Sequence, residues 1–308
     1  MERIPQEAQR GTSSRKPAPG PVPPSSKAPR SPRGDSLPRQ PAEPDVLKDQ
    51  KPVGRIEGRA FVKGSGDLQD VDPNDVAQGQ LGDCYLLAAL AAVAKTDPDV
   101  IRKMVRDNGN GTCTVTFHLP RLGLSFLGRE VRQVVVTPDV PVQGEGSSQP
   151  RYAQVGDREV EGEGPSRKEV AELWVLLVEK AWAQVKGSYG AIEGGHPGQA
   201  MEAITGQASD SFRTASKGEA DLLKDLEAAS KAGHPVTAFT PPDSQVEQDE
   251  TWQKLAKDKV VHGNHAYTVM GVEGREIRLR NPWGMRHPKP LSGAEFKTLF
   301  LEVSINRA

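Results

Sequence analysis

Two cysteines, Cys84 and Cys113, are all that this 308-residue chain carries. So few exclude a disulfide framework, and two cysteines without histidine partners exclude a closed zinc centre. Of the six histidines only His262 and His265 stand close together, and a metal site on that pair is the weaker reading. Charge bias is also lacking: 40 Lys and Arg face 41 Asp and Glu, for a net charge of −1. A nucleic-acid binder would usually show a basic excess, so nucleic acid is not an expected partner. No apolar run approaches the roughly 20 residues of a membrane span. The N-terminus, MERIPQEAQR, has no apolar core of the signal-peptide type. Cytoplasmic residence is the default expectation, with export by a route that needs no signal peptide left open.

Proline is unevenly spread. Eleven of the 26 prolines fall within the first fifty residues, among Ser, Arg and Lys. A stretch such as KPAPGPVPPSSKAPRSPRG holds almost no large apolar side chain, so burial cannot offset the entropy of ordering it. Residues 1–53 are expected to form a disordered leader. It acts either as a linker or as a docking segment for a proline-binding module.

From Gly54 onward the composition is that of a folded domain. CYLLAALAAVAK, from Cys84 to Lys95, joins strong helix formers that are apolar on every side, which predicts a buried central helix. Asp83 is placed to cap it. GTCTVTFHL alternates as a strand does and puts Cys113 inside it as a small buried residue; EVRQVVVTP is a second strand. Ser166 with Glu169 fits a capping box opening a helix over EVAELWVLLVEKAWAQVKG, closed by Gly187. Ser216 with Glu219 fits another, ahead of a helix that stops at Gly233 and Pro235. PVTAFT, HAYTVMGV and EIRLRN read as strands, the last two joined by a tight turn at EGR. Helices early and strands late give an α+β expectation with two lobes.

Cys84 sits where a polar, glycine-broken loop (QGQLGD) meets the apolar helix. In the first turn of a helix the free amides and dipole favour a thiolate, which a nucleophilic cysteine needs, while Asp83 opposes a second anion. An inert cysteine opening an apolar helix fits the local pattern equally well. A nucleophile also needs a base and a group to orient it. His265 starts one strand of the expected hairpin and Asn281 ends the other, so the hairpin would bring them together opposite Cys84. Gln78, six residues before Cys84, could join the Cys84 amide in holding an oxyanion; a plain loop glutamine is the alternative.

In these residues the sequence resembles the calpain family. QGQLGDCYLLAALAAVA is similar to its cysteine motif, NHAYTVMGV to its histidine motif and IRLRNPWG to its asparagine motif. LWVLLVEKAWAQVKGSYGAIEGG, followed by GQAMEAITG, is similar to a helix and loop of its first lobe. The four occur in family order and span the chain from about Gly54. The resemblance implies a papain-like, two-lobed α+β fold with a helical first catalytic subdomain over 54–205 and a β-rich second over 206–308. It implies a cysteine-type endopeptidase acting on protein or peptide substrates through an acyl-enzyme, with Cys84 as nucleophile, His265 as base, Asn281 as orienting residue and Gln78 at the oxyanion. Trp283 would sit in the cleft. No cofactor is required for that chemistry; calcium is implied as a regulatory ion. Here the chain departs from the pattern. Asp75 and Glu179 match carboxylates of the first calcium site, but Asp70 stands where a glycine is usual, and MRHPKPLSGAEF lacks the acids of the second. Tyr85 replaces a tryptophan and Asn264 a glycine. Two other expectations stand beside the peptidase: a catalytically silent binding module of the same fold, and a secreted effector or toxin protease.

Overall fold

From Cys84 to Lys95 the side chains offer no polar face, and the chain buries that segment on all sides. In the computed structural model, which describes residues 45–64, 69–123, 127–161 and 168–308, residues 85–94 of this helix are all buried. Each of its leucines contributes about 1.5–3 kcal/mol by leaving water.

The N-terminal half contains strands β1 (Val53–Arg55) and β2 (Gly58–Arg59), helices α1 (Cys84–Thr96) and α2 (Pro98–Met104), and strands β3 (Val105–Asp107), β4 (Cys113–Pro120), β5 (Arg129–Val136) and β6 (Asp139–Pro141). Strands β7 (Arg158–Glu161) and β8 (Lys168–Glu172) and helices α3 (Trp174–Lys186) and α4 (Pro197–Thr205) complete it. Its strands form three small sheets, β1-β6, β2-β8-β7 and β3-β4-β5. Cys113 lies buried in β4, as its pattern predicts.

The C-terminal half comprises β9 (Ser209–Arg213), α5 (Glu219–Lys231), β10 (Val236–Phe239), α6 (Asp243–Val246), α7 (Glu250–Lys259), β11 (Ala266–Glu273), β12 (Glu276–Arg280), β13 (Leu291–Ser292), α8 (Gly293–Leu299) and β14 (Glu302–Asn306). Its strands form one antiparallel sheet in the order β13-β12-β11-β10-β14-β9. The architecture is thus α+β, with two apolar cores. One is built around α1 and α3, the other around the large sheet, α5, α7 and α8. Among the described residues no helix is long and apolar enough to cross a membrane.

Three local expectations are corrected. The leader assigned to residues 1–53 lies outside the described residues up to Pro44, but its last part is folded: Val46 is buried in the first core and Val53 opens β1. The capping box of Ser166 and Glu169 does not open a helix. Ser166 lies outside the described residues, Glu169 sits in β8, and α3 begins at Trp174. Pairing of β8 with β2 and β7 overrides the helical pattern there. At the second box, Gly218 is the cap residue of α5, and the Ser216 hydroxyl is spent on the Arg213 carbonyl at 2.6 Å.

The expected hairpin forms. β11 and β12 pair through Thr268↔Arg280 to Glu273↔Glu276. Gly274 and Arg275 both take positive φ, +55° and +77°, as the mirror-image turn that suits strand twist requires.

Candidate active site

Helix α1 and strand β11 run in step. The Thr268 hydroxyl donates to the Ala88 carbonyl at 2.7 Å. One turn up the helix is Cys84; two residues up the strand is Ala266, whose backbone hydrogen-bonds the Cys84 thiol. Four helical residues rise about 6 Å and two strand residues about 6.6 Å, so the match persists along the contact. Cys84 therefore lies against the strand residue that follows His265.

Cys84, His265 and Gln78 line one cleft of about 610 Å³, together with Trp283, Phe239, Asn264 and the Gly194–Gly195 pair. Asn281 is wholly buried behind His265. Its Oδ1 lies 2.9 Å from His265 Nε2 and also accepts the Trp283 N–H at 3.1 Å. Its Nδ2 donates to the Arg286 carbonyl at 3.3 Å, and its own N–H donates to His287 Nδ1 at 3.1 Å. Two backbone partners thus orient the Asn281 amide. Its oxygen faces His265, so His265 Nε2 carries the proton and Nδ1 keeps the lone pair. Trp283 packs on the imidazole with ring centroids 4.9 Å apart.

The loop holding Gln78 is tied down from both sides. Its N–H donates to the Pro282 carbonyl at 2.8 Å, and Arg280 Nη2 donates to the Val76 carbonyl at 2.6 Å. Gln78 Nε2 donates to the Leu81 carbonyl at 2.7 Å, and the Gln78 side chain also interacts with the buried Asp83 carboxyl. Gly195 closes the far wall. A Cβ there would come within 2.5 Å of the Tyr85 ring, so only glycine permits this approach. Tyr85 in turn accepts the Trp182 indole N–H at 2.9 Å.

The charge state differs from the expected one. Asp83 makes no side-chain capping bond. It is fully buried and paired with Glu179, and burial pushes both carboxyls up from the usual range. Burial likewise pushes the Cys84 thiol up to about 11, with Asp83 adding to the shift. The His265 imidazole is pushed down to about 4, again by burial, against the opposing hydrogen bond to Asn281. Both shifts favour the neutral thiol and the neutral imidazole. Desolvation outweighs the helix-end field.

The carboxylates matched to a calcium site are engaged elsewhere. Asp75 Oδ2 accepts the Asp72 N–H at 2.6 Å and the Trp174 indole N–H at 3.2 Å. Glu179 Oε1 accepts the Ala153 N–H at 2.8 Å. Asp70 binds Arg102 at 2.5 Å. Among the described residues no group of three or more His, Cys, Asp or Glu side chains is placed to hold a metal ion. Calcium takes about six to eight oxygen ligands, among which backbone carbonyls and waters count beside carboxylates.

Sequence reasoning missed the partner of Asp83 and the roles of Arg280 and His287. A signal for the first was present: Glu179 and Lys180 interrupt an otherwise apolar run from Trp174 to Trp182. Both are buried, and Lys180 donates to the Thr137 and Asp139 carbonyls at 2.9 and 2.6 Å.

Residues 61–290 match the family model described as calpain family cysteine protease. Mouse calpain-9 is 30% identical over 275 residues, covering 85% of this chain and 35% of that protein. The calpain-type cysteine protease DEK1 of Arabidopsis thaliana is 31% identical over 227 residues, 70% of this chain and 9% of its own length. The human calpain-1 catalytic subunit is 29% identical over 252 residues, 77% and 30% respectively. The chain spans about a third or less of these relatives. Among solved structures, a putative C39-like peptidase from Bacillus anthracis aligns over 77% of this chain and 98% of its own, with 11% identity and a TM-score of 0.30, too loose a likeness to carry an argument. On the family match, which covers most of the folded part, and on the relatives at about 30% identity, the chain belongs to the calpain family of cysteine proteases.

Proposed function

We propose that this chain is an endopeptidase that cuts proteins through an acyl-enzyme on Cys84. The observation that carries the reading is the oriented imidazole: His265 is held by Asn281 with its basic Nδ1 free, in the cleft it shares with Cys84. Because the resting pair is neutral, attack and proton transfer are coupled. As Cys84 Sγ bonds to the peptide carbonyl carbon, its proton passes to His265 Nδ1. The imidazolium, stabilised through Nε2–H by Asn281, then gives that proton to the leaving amine. Next His265 takes a proton from water, and the resulting hydroxide releases the acyl group and restores the thiol. The Gln78 side-chain amide and the Cys84 amide are the groups assigned to the oxyanion; each such donor is typically worth about 3 kcal/mol in the transition state. The two apolar cores correspond, in this reading, to the two lobes of a papain-like fold, with the cleft between them.

The test is casein hydrolysis with added calcium and with chelator, comparing wild type and Cys84→Ala. Wild type is expected to cut casein to a similar extent in both conditions, and the variant not at all. Equal turnover by the variant sinks the reading; turnover only with calcium sinks the calcium-independent part alone. A thiol-alkylating peptide should label Cys84 and spare the buried Cys113.

A further inference from the structure

The cleft is electrostatically lopsided. Among the described residues Glu193 is the only acidic side chain that lines it, and no lysine or arginine does. Its other polar groups are neutral: Gln78, Gln80, Asn264 and the uncharged His265 imidazole. The Glu193 side chain makes no ion pair or hydrogen bond among the described residues, so its charge is not neutralised from within. Its place relative to Cys84 is set by two contacts. The Gly194 N–H donates to the Gly82 carbonyl at 2.8 Å. A Cβ on Gly82 would lie 3.9 Å from the Glu193 Cβ. The Glu193 side chain therefore leaves the backbone beside Gly82, two residues before the nucleophile. The buried Asp83 carboxyl lies near enough for the Glu193 charge to oppose its ionisation.

Glu193 is exposed at the mouth of the cleft, where an unpaired carboxylate still attracts a cation and rejects an anion, by the modest amount of a solvent-exposed pair. We propose that Glu193 is a specificity-determining residue that selects peptides with a lysine or arginine side chain flanking the bond to be cut. The proposal rests on the peptidase reading above. A peptide's basic side chain replaces part of its hydration with the Glu193 carboxylate. A glutamate in the same place meets a like charge.

Binding tests this without requiring turnover. The full chain carrying Cys84→Ala is titrated with fluorescent peptides that differ only in having arginine, glutamine or glutamate at the residues flanking one bond. Arginine should bind about threefold more tightly than glutamine, and that preference should shrink as salt is raised. Adding Glu193→Gln should bring the ratio near one, and adding Glu193→Lys should invert it in favour of glutamate. No arginine preference, or one that survives Glu193→Gln in a chain that melts like its parent, overturns the inference. Hydrolysis of the same peptides by the chain with Cys84 intact tests the peptidase reading separately. Cleavage without charge preference leaves that reading and removes this one. Charge-selective binding with no cleavage does the reverse.

Discussion

His265 Nε2 and Asn281 Oδ1 lie 2.9 Å apart although 16 residues separate them in sequence. The β11–β12 register places Arg280 opposite Thr268, so the chain leaving one strand meets the chain entering the other. Asn281→Ala should lower kcat/KM by about 10²-fold, since the imidazole loses both its tautomer and its orientation. Asn281→Asp, which keeps an oxygen acceptor, should recover part of that loss. Thermal melts separate this effect from the cost of the buried bonds to Trp283 and Arg286, about 1–3 kcal/mol. Unchanged kcat/KM in Asn281→Ala would remove the orienting role.

Trp283 covers His265 and His262, with ring centroids 4.9 and 4.5 Å away. Trp283→Ala admits water, so the His265 imidazole, held down to about 4 by burial, should rise towards the ordinary histidine value. Histidine NMR titration measures it. The folded value lies below the unfolded one, so the unfolded chain binds the proton more readily between about pH 6.5 and 4. His265 therefore costs the wild type stability as pH falls through that window, and the variant should show less of this loss. An unmoved titration would mean that Trp283 does not shield the ring.

Cys84 should behave as a thiol of raised pKa in the free chain. Its alkylation rate by iodoacetamide is expected to climb with pH and show no plateau below about pH 9, since burial holds the thiol up to about 11. A plateau near neutrality would instead establish a resting thiolate and replace the coupled proton transfer with attack by a preformed ion pair.

Gly195→Ala drives a methyl group into the Tyr85 ring. It should cost about 1–3 kcal/mol in denaturant unfolding, the usual scale for overpacking. Tyr85→Leu in the same chain should return part of it by removing the ring. Wild-type stability in Gly195→Ala would show that the wall yields freely.

The elements that carry the site were legible from the residues. An apolar run without glycine or proline reads as a buried helix whatever surrounds it, and the turn between Glu273 and Glu276 announces the hairpin. The failures came where tertiary pairing overrode local pattern. KEVAE carries helical spacing after a serine, yet it becomes β8 because β2 and β7 supply strand partners. Asp83 looks like a cap, yet its carboxyl turns away from the helix amides and inward to Glu179.

By itself, the amino-acid sequence determined local placements: Cys84 at a helix start, His265 and Asn281 at the open end of one hairpin, Gln78 on the loop before the helix. Such placements follow from local periodicity and turn chemistry, which act over a few residues. Only the tertiary structure decided their protonation. The neutral thiol, the neutral imidazole with its proton on Nε2, and the uncompensated Glu193 depend on which groups from distant segments exclude water or donate hydrogen bonds. Desolvation and hydrogen-bond direction are properties of the packed surroundings, and no residue's own neighbours in sequence specify them.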